Sequence, residues 1–152
     1  MKILKRILFI LLIGFILIQF FRPEKNVTIG SEQEIRQSLQ LPVDVEAILQ
    51  KACYDCHSNN TRYPWYAHIQ PVAWFLADHV KEGKAELNFN NLSGLDKRRL
   101  RSRFRGIEEV IEESAMPLSS YTLLYKDAKL TQTEKKILIN WARSAEDQLS
   151  KN

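Results

Sequence analysis

The chain has 152 residues, with 22 lysines and arginines against 18 aspartates and glutamates, a formal net charge of +4. A hydrophobic content of 45% and a charged content of 26% exclude a disordered or collagen-like chain, and two cysteines exclude a disulfide-built scaffold. The excess charge does not make the folded part basic. Lys2, Lys5, Arg6 and Arg22 all precede the first acidic residue, Glu24, and the remainder balances at 18 against 18, so nucleic acid is not an expected partner. A neutral unit of this length buries one modest core, which predicts a single folded domain.

Residues 7–21 form an apolar run interrupted only by Gly14 and Gln19, with Lys2, Lys5 and Arg6 ahead of it. A cleavable signal peptide shares that design but ends in a small-x-small site. This run ends in Phe20-Phe21-Arg22-Pro23, and the nearest such triplet, Thr28-Ile29-Gly30, lies well downstream. Residues 1–22 are therefore read as an N-terminal membrane anchor or signal segment, with the uncleaved anchor favoured. It would make a single pass through the cytoplasmic (inner) membrane, its basic flank staying inside and the rest facing the periplasm. Residues 23–41 read as a polar linker with a short helix over Ser31 to Leu39, and residues 42–152 as the folded domain.

Within that domain, Val45, Ile48, Leu49, Ala52, Cys53 and Cys56 recur at helical spacing after Asp44, a candidate N-cap. An irregular stretch rich in Asn and aromatics follows, over Ser58 to Ile69. Pro71 then marks a helix start and Gly83 its expected end, with Val72, Phe75, Leu76, His79 and Val80 on one face. A third helix follows Asp96, with a stripe of Leu100, Phe104, Ile107 and Ile111. Thr131 and Glu134 form a capping box for a last helix carrying Ile137, Leu138, Trp141, Ala145 and Leu149. No period-2 strand is present. The expected fold class is all-α, four or five compactly arranged helices with long loops, preceded by the anchor helix.

Both cysteines fall in Cys53-Tyr54-Asp55-Cys56-His57, the pattern that attaches a c-type haem covalently; chance produces it on the order of once in several thousand chains of this composition. At helical positions i, i+3 and i+4 the thiols and imidazole share a face. Each thiol can then add to a haem vinyl group while His57 binds the iron as proximal ligand. A thioredoxin-like redox pair would need a βαβ context, and a structural zinc site would need His68 or His79 as additional ligands.

For the sixth iron position, Met1 lies at the far end of the anchor, so a thioether ligand can only be Met116, which Pro117 holds out of helical geometry. His79 is the rival, a polar ring on an apolar face. His68 reads as a surface or supporting residue. Pro64 and Pro71 are the candidates for the carbonyl that accepts the proximal histidine's proton. Six basic residues between Lys97 and Arg105 read as a solvated or docking face, with one or two able to pair with haem propionates.

The motif, together with Ser58-Asn59-Asn60-Thr61, Tyr63-Pro64-Trp65-Tyr66, Pro71-Val72-Ala73-Trp74, His79 with Gly83-Lys84, Leu87-Asn88-Phe89 and Met116-Pro117-Leu118-Ser119-Ser120-Tyr121, resembles the small bacterial haem-binding domain proteins, related to monohaem c-type cytochromes. The resemblance covers roughly residues 42–147. It implies a cytochrome c-like helical domain, one haem c covalently attached through Cys53 and Cys56, axial ligation by His57, and Met116 at the family's methionine position. The expected function is a membrane-tethered monohaem cytochrome passing electrons between periplasmic or membrane redox proteins, not an enzyme. The alternatives are a haem-based sensor or small-ligand-binding module, then a peroxidase-like enzyme or a thiol redox protein.

Overall fold

A computed structural model describes residues 1–151, and among these the chain is helical throughout, with one isolated antiparallel bridge, between Val27 and Asn60. The apolar run forms α1 (Lys2–Ile18), along which no side chain is buried. At 1.5 Å per residue its 17 residues rise about 26 Å, and no helix among the described residues is long and apolar enough to cross a membrane. The helix stops before the apolar run does. Gln19 and Phe21 instead direct their polar groups to the domain, the Gln19 amide donating to Gln70 O and the Phe21 carbonyl accepting from Trp74.

The expected short helix is α2 (Ser31–Leu39), entered through Gly30 in the left-handed region at φ 85°. Its Ser31 and Ile35 are fully buried, and Leu41 joins the same core. Asn26 fastens the preceding strand of chain: its backbone N–H donates to the Tyr63 hydroxyl, its side-chain amide to Ser58 O and Thr61 Oγ1.

Beyond Leu41 come α3 (Val43–Ala52), α4 (Tyr54–His57), α5 (Val72–Glu86), α6 (Lys97–Glu112), α7 (Ser119–Leu124) and α8 (Gln132–Lys151), with 3₁₀ turns at Trp65–His68, Phe89–Gly94 and Lys126–Ala128. The long stretch between α6 and α8 thus contains a further short helix, α7, and the cysteine motif forms a separate helix, α4. Pro42, not Asp44, is the N-cap of α3. Asp44 sits inside the first turn, where a carboxylate is favourable against the helix dipole. The backbone breaks at Cys53, φ −125°, so the cysteine motif forms its own turn instead of continuing α3.

The main pairing is α6 against α8, with Phe104, Ile107 and Ile111 meeting Leu138 and Ala142, all buried, and Phe104 edge-on to Trp141. The side chain of Asp96 accepts from the Arg99 N–H at 2.9 Å, capping α6. The capping box of α8 is complete: Thr131 N–H donates to Glu134 Oε2 at 2.8 Å and Glu134 N–H to Thr131 Oγ1 at 3.2 Å. Glu134 also receives Lys51 at 2.5 Å, tying α8 to α3. Lys51 and then the Thr131 N–H hold the Glu134 carboxyl below its ordinary range. A lowered folded-state pKa gives stability that is present above the unfolded value of about 4.3 and lost as pH falls through the folded value. Glu134→Gln is accordingly expected to flatten the acid limb of a stability-against-pH curve measured by urea unfolding.

Candidate haem site

The site is built on the single turn of α4. Cys56 and His57 N–H both donate to Cys53 O, at 3.2 and 3.0 Å, which brings Cys53, Cys56 and His57 to one side of the turn. Both thiols are free and half-buried. Burial, with Cys56 adding, pushes the Cys53 thiol up to about 12, and burial, with Asp55 adding, pushes Cys56 up to about 11. A dithiol redox pair works through a thiolate of lowered pKa, and no strand supplies its fold context, so thiol exchange is disfavoured.

His57 Nδ1 lies 2.9 Å from Leu87 O. That contact corrects the expectation of Pro64 or Pro71 as the carbonyl partner. Leu87 is where α5 gives way to extended backbone, φ −148°, so its carbonyl turns away from the helix axis. With Nδ1–H donating there, Nε2 is the nitrogen left to bind a metal.

The reason α5 approaches so closely is Gly83. It lies inside α5 rather than past its end, because the helix crosses the cysteine turn there: a Cβ at this position would stand 2.8 Å from Cys56 O and 3.2 Å from Cys56 Cβ.

Two adjoining cavities open around this turn. One, of about 360 Å³, is lined by Cys53, Cys56, His57, His79, Met116 and Tyr121 among others. The second, of about 280 Å³ and mostly apolar, shares Cys53, His57, Met116 and Pro117 and extends past Leu87, Phe89, Arg103, Gly106 and Ile107. A smaller extension of about 80 Å³ runs between Val72, Phe75, Leu76, His79, Tyr66 and Tyr125. The combined space has the scale and apolar lining of a ligand cleft. A larger open depression of about 810 Å³ along Val27 to Gln37 contains none of these groups.

Met116 sits in the loop between α6 and α7, as Pro117 predicts. Helix α6 ends with Ser114 in the left-handed region, φ 58°, the N–H of Ser114 donating to Ile111 O and that of Ala115 to Val110 O. These are the bonds of a Schellman termination. Met116 N–H also reaches Val110 O at 3.2 Å, which turns the chain back into the cleft. His79 reaches the cleft too. Its Nδ1 lies 2.9 Å from Phe75 O one turn earlier, and its ring rests 4.1 Å from that of Phe75. His68 lies apart, beside Tyr63.

Sequence reasoning missed Asp55, the buried residue between the two cysteines. Its carboxylate accepts from Arg62 Nε and Nη2 at 3.0 and 3.1 Å and from the Tyr121 hydroxyl at 2.6 Å. Tyr121 lies five positions after Met116, so this network ties the methionine loop to the cysteine turn. Burial, then the bond to Asp55, keeps the phenol protonated far above its ordinary range. The only available signal was an acidic residue inside an apolar motif.

Four of the six residues of the basic run have ion-pair partners. Arg99 pairs with Asp96, and Arg101 and Arg105 with Glu146. Arg103 lines the cleft, 4.0 Å from Glu86, and is the member of the run placed to meet a propionate.

A haem fits this arrangement. The donor set is right, the cleft is apolar with a cation at its edge, and Gly106 faces open space, with nothing within 4 Å of a built Cβ. Gly106→Leu is expected to keep the helical fold while lowering bound haem several-fold, read as the ratio of haem absorbance to protein.

The helices, the paired thiols, the imidazole and the apolar cleft define a small all-helical haem-binding protein. Residues 13–144 match the haem-binding domain family, and the chain belongs to that family. No curated protein and no solved structure matches it.

Proposed function

We propose that the protein is a membrane-tethered monohaem c-type cytochrome that passes electrons on the periplasmic side of the cytoplasmic membrane. The observation that carries this reading is the placement of Cys53, Cys56 and His57 on one turn, at a cleft that Met116 also lines. One haem c, held by thioethers to Cys53 and Cys56, would supply one-electron chemistry between ferric and ferrous iron. The protein's part is to fix the imidazole through Leu87 O, hold the methionine through Asp55 and Tyr121, and exclude water with the apolar walls.

Met116 is the favoured distal ligand over His79. It lines both main cavities together with Cys53 and His57, whereas His79 lines only the first of them and the smaller extension beside Phe75. The tether is α1, whose side chains from Ile3 to Phe15 have no protein surface to cover them. Helix α1 alone, about 26 Å, falls short of a membrane core of about 30 Å, and snorkelling of Lys2, Lys5 and Arg6 at one end with the apolar Phe20 and Phe21 at the other would supply the remaining length. The partners are periplasmic or membrane redox proteins.

The test is haem staining on a denaturing gel after export alongside a cytochrome c maturation system. The wild type should stain in the membrane fraction at one haem per chain, and Cys53→Ala/Cys56→Ala should not stain. An unstained exported wild type overturns covalent attachment.

A further inference from the structure

Gln19 is the polar interruption in the apolar run, and the function above makes no use of it. It is engaged at both ends of its amide: Oε1 accepts from Gln70 N–H at 2.9 Å, and Nε2 donates to Gln70 O at 3.3 Å and to Phe15 O at 3.0 Å. Gln70 is fully buried, and its own side chain completes the set, Nε2 donating to Phe21 O at 2.8 Å and Oε1 accepting from Trp74 N–H at 3.2 Å. The Trp74 indole N–H donates to the same Phe21 carbonyl at 2.8 Å. The N–H, C=O and both side-chain polar atoms of Gln70 are therefore all spent on joining the end of α1 to the start of α5. A flexible tether needs no such joint.

Around the joint the surface is apolar and exposed. Phe20 is 79% exposed, Phe21 69%, Trp65 76% and Trp74 38%. We propose that Gln19, Gln70 and Trp74 latch the haem domain rigidly to its anchor, so that the surface carrying Trp65 and Trp74 lies in the headgroup region of the lipid bilayer. The occupant of this face is lipid, because Trp74 is within hydrogen-bond distance of Phe21, the last residue of the apolar run. If Phe21 is at the membrane surface, Trp74 is there too. Tryptophans are favoured at that depth, where an apolar ring and a polar N–H are both accommodated.

The latch also sets which way the cleft faces. Val72 and Phe75 line its narrow extension and flank Trp74 in the first turn of α5. That end of the cleft then lies near the bilayer surface, and the end bearing Arg103 and Glu86 lies farther along α5.

This inference rests on the tether reading, and one experiment separates the two. Full-length holoprotein is inserted into phosphatidylcholine bilayers, stacked as oriented multilayers, and the ferric haem is read by electron paramagnetic resonance as the sample is rotated. The latched protein gives signals that change with angle. Gln19→Leu preserves the apolar run and Trp74→Phe keeps an aromatic side chain without the indole N–H; each should lose the angular dependence while haem content and resistance to carbonate washing stay at wild-type levels. A wild type that stays in washed membranes but shows no angular dependence overturns the latch and leaves the tether standing. A wild type recovered in the soluble fraction overturns both. Angular dependence that disappears on dilution in lipid, with cross-linked dimers before dilution, assigns the face to a second copy of the chain and also overturns the proposal.

Discussion

Met116→Ala is expected to remove the weak methionine-to-ferric-iron band, open the sixth position to carbon monoxide, and lower the midpoint potential by on the order of 0.1 V. A thioether favours ferrous over ferric iron, so its loss destabilises the reduced state. The fold should survive, because Met116 is only half-buried and its loop is anchored independently by the bonds to Val110 O. Tyr121→Phe tests how the methionine is held. It deletes one hydrogen bond to a buried carboxylate, worth about 1.5–3 kcal/mol, and leaves Asp55 paired with Arg62. The band should remain at low temperature and vanish on warming well before the domain unfolds. If Met116→Ala leaves the spectrum unchanged while His79→Ala alters it, the distal ligand is His79. A wild-type resting state that is high-spin and binds carbon monoxide readily would instead favour a sensor or ligand-binding role.

The second large effect is at Gly83. Replacing glycine by alanine inside a helix ordinarily stabilises by about 1 kcal/mol. Here the new Cβ meets a backbone carbonyl at 2.8 Å, and α5 must back away from α4. Overpacking of this kind costs about 1–3 kcal/mol, so Gly83→Ala should be net destabilising by roughly 1–2 kcal/mol and Gly83→Val by more. Because retreat of α5 also draws Leu87 O away from His57, the valine variant should mature with much less haem than the wild type. Urea titration and haem-to-protein ratio measure the two effects. Gly106→Ala is the control: its Cβ enters open space, so it should unfold no more easily than the wild type.

The elements that sequence alone revealed are those governed by local rules. The stripe of α6 after Asp96, the Thr131–Glu134 box of α8, and α2 all depend on residues within a few positions of one another. The cysteine motif is local too, and so is the effect of Pro117 on Met116. What could not be read depends on contacts between distant segments. Leu87 O reaches His57 only because α5 runs on through Gly83. Asp55 finds Tyr121 from 66 positions away. Ile35 and Leu41, in a stretch that reads as polar, are buried by elements that follow them in the chain. Gly83 shows the limit well, since a glycine at a helix end and one at a helix crossing look the same in sequence.

The basic run on α6 has a consequence for encounter kinetics. Arg101 and Arg105 converge on Glu146, Arg99 folds back on Asp96, Arg103 leans toward Glu86, and across the same pairing Arg143 of α8 is answered by Glu108 and Glu112. Four of the six cations of the run are thus drawn into ion pairs closer than the screening length of about 8 Å in physiological salt, although Arg101 and Arg105 share one carboxylate. Long-range steering of an acidic partner by this helix is correspondingly weaker than its six cations alone would give. A redox partner that meets this face must also recognise its shape at contact, and its association rate should vary less with ionic strength than six unpaired cations would give.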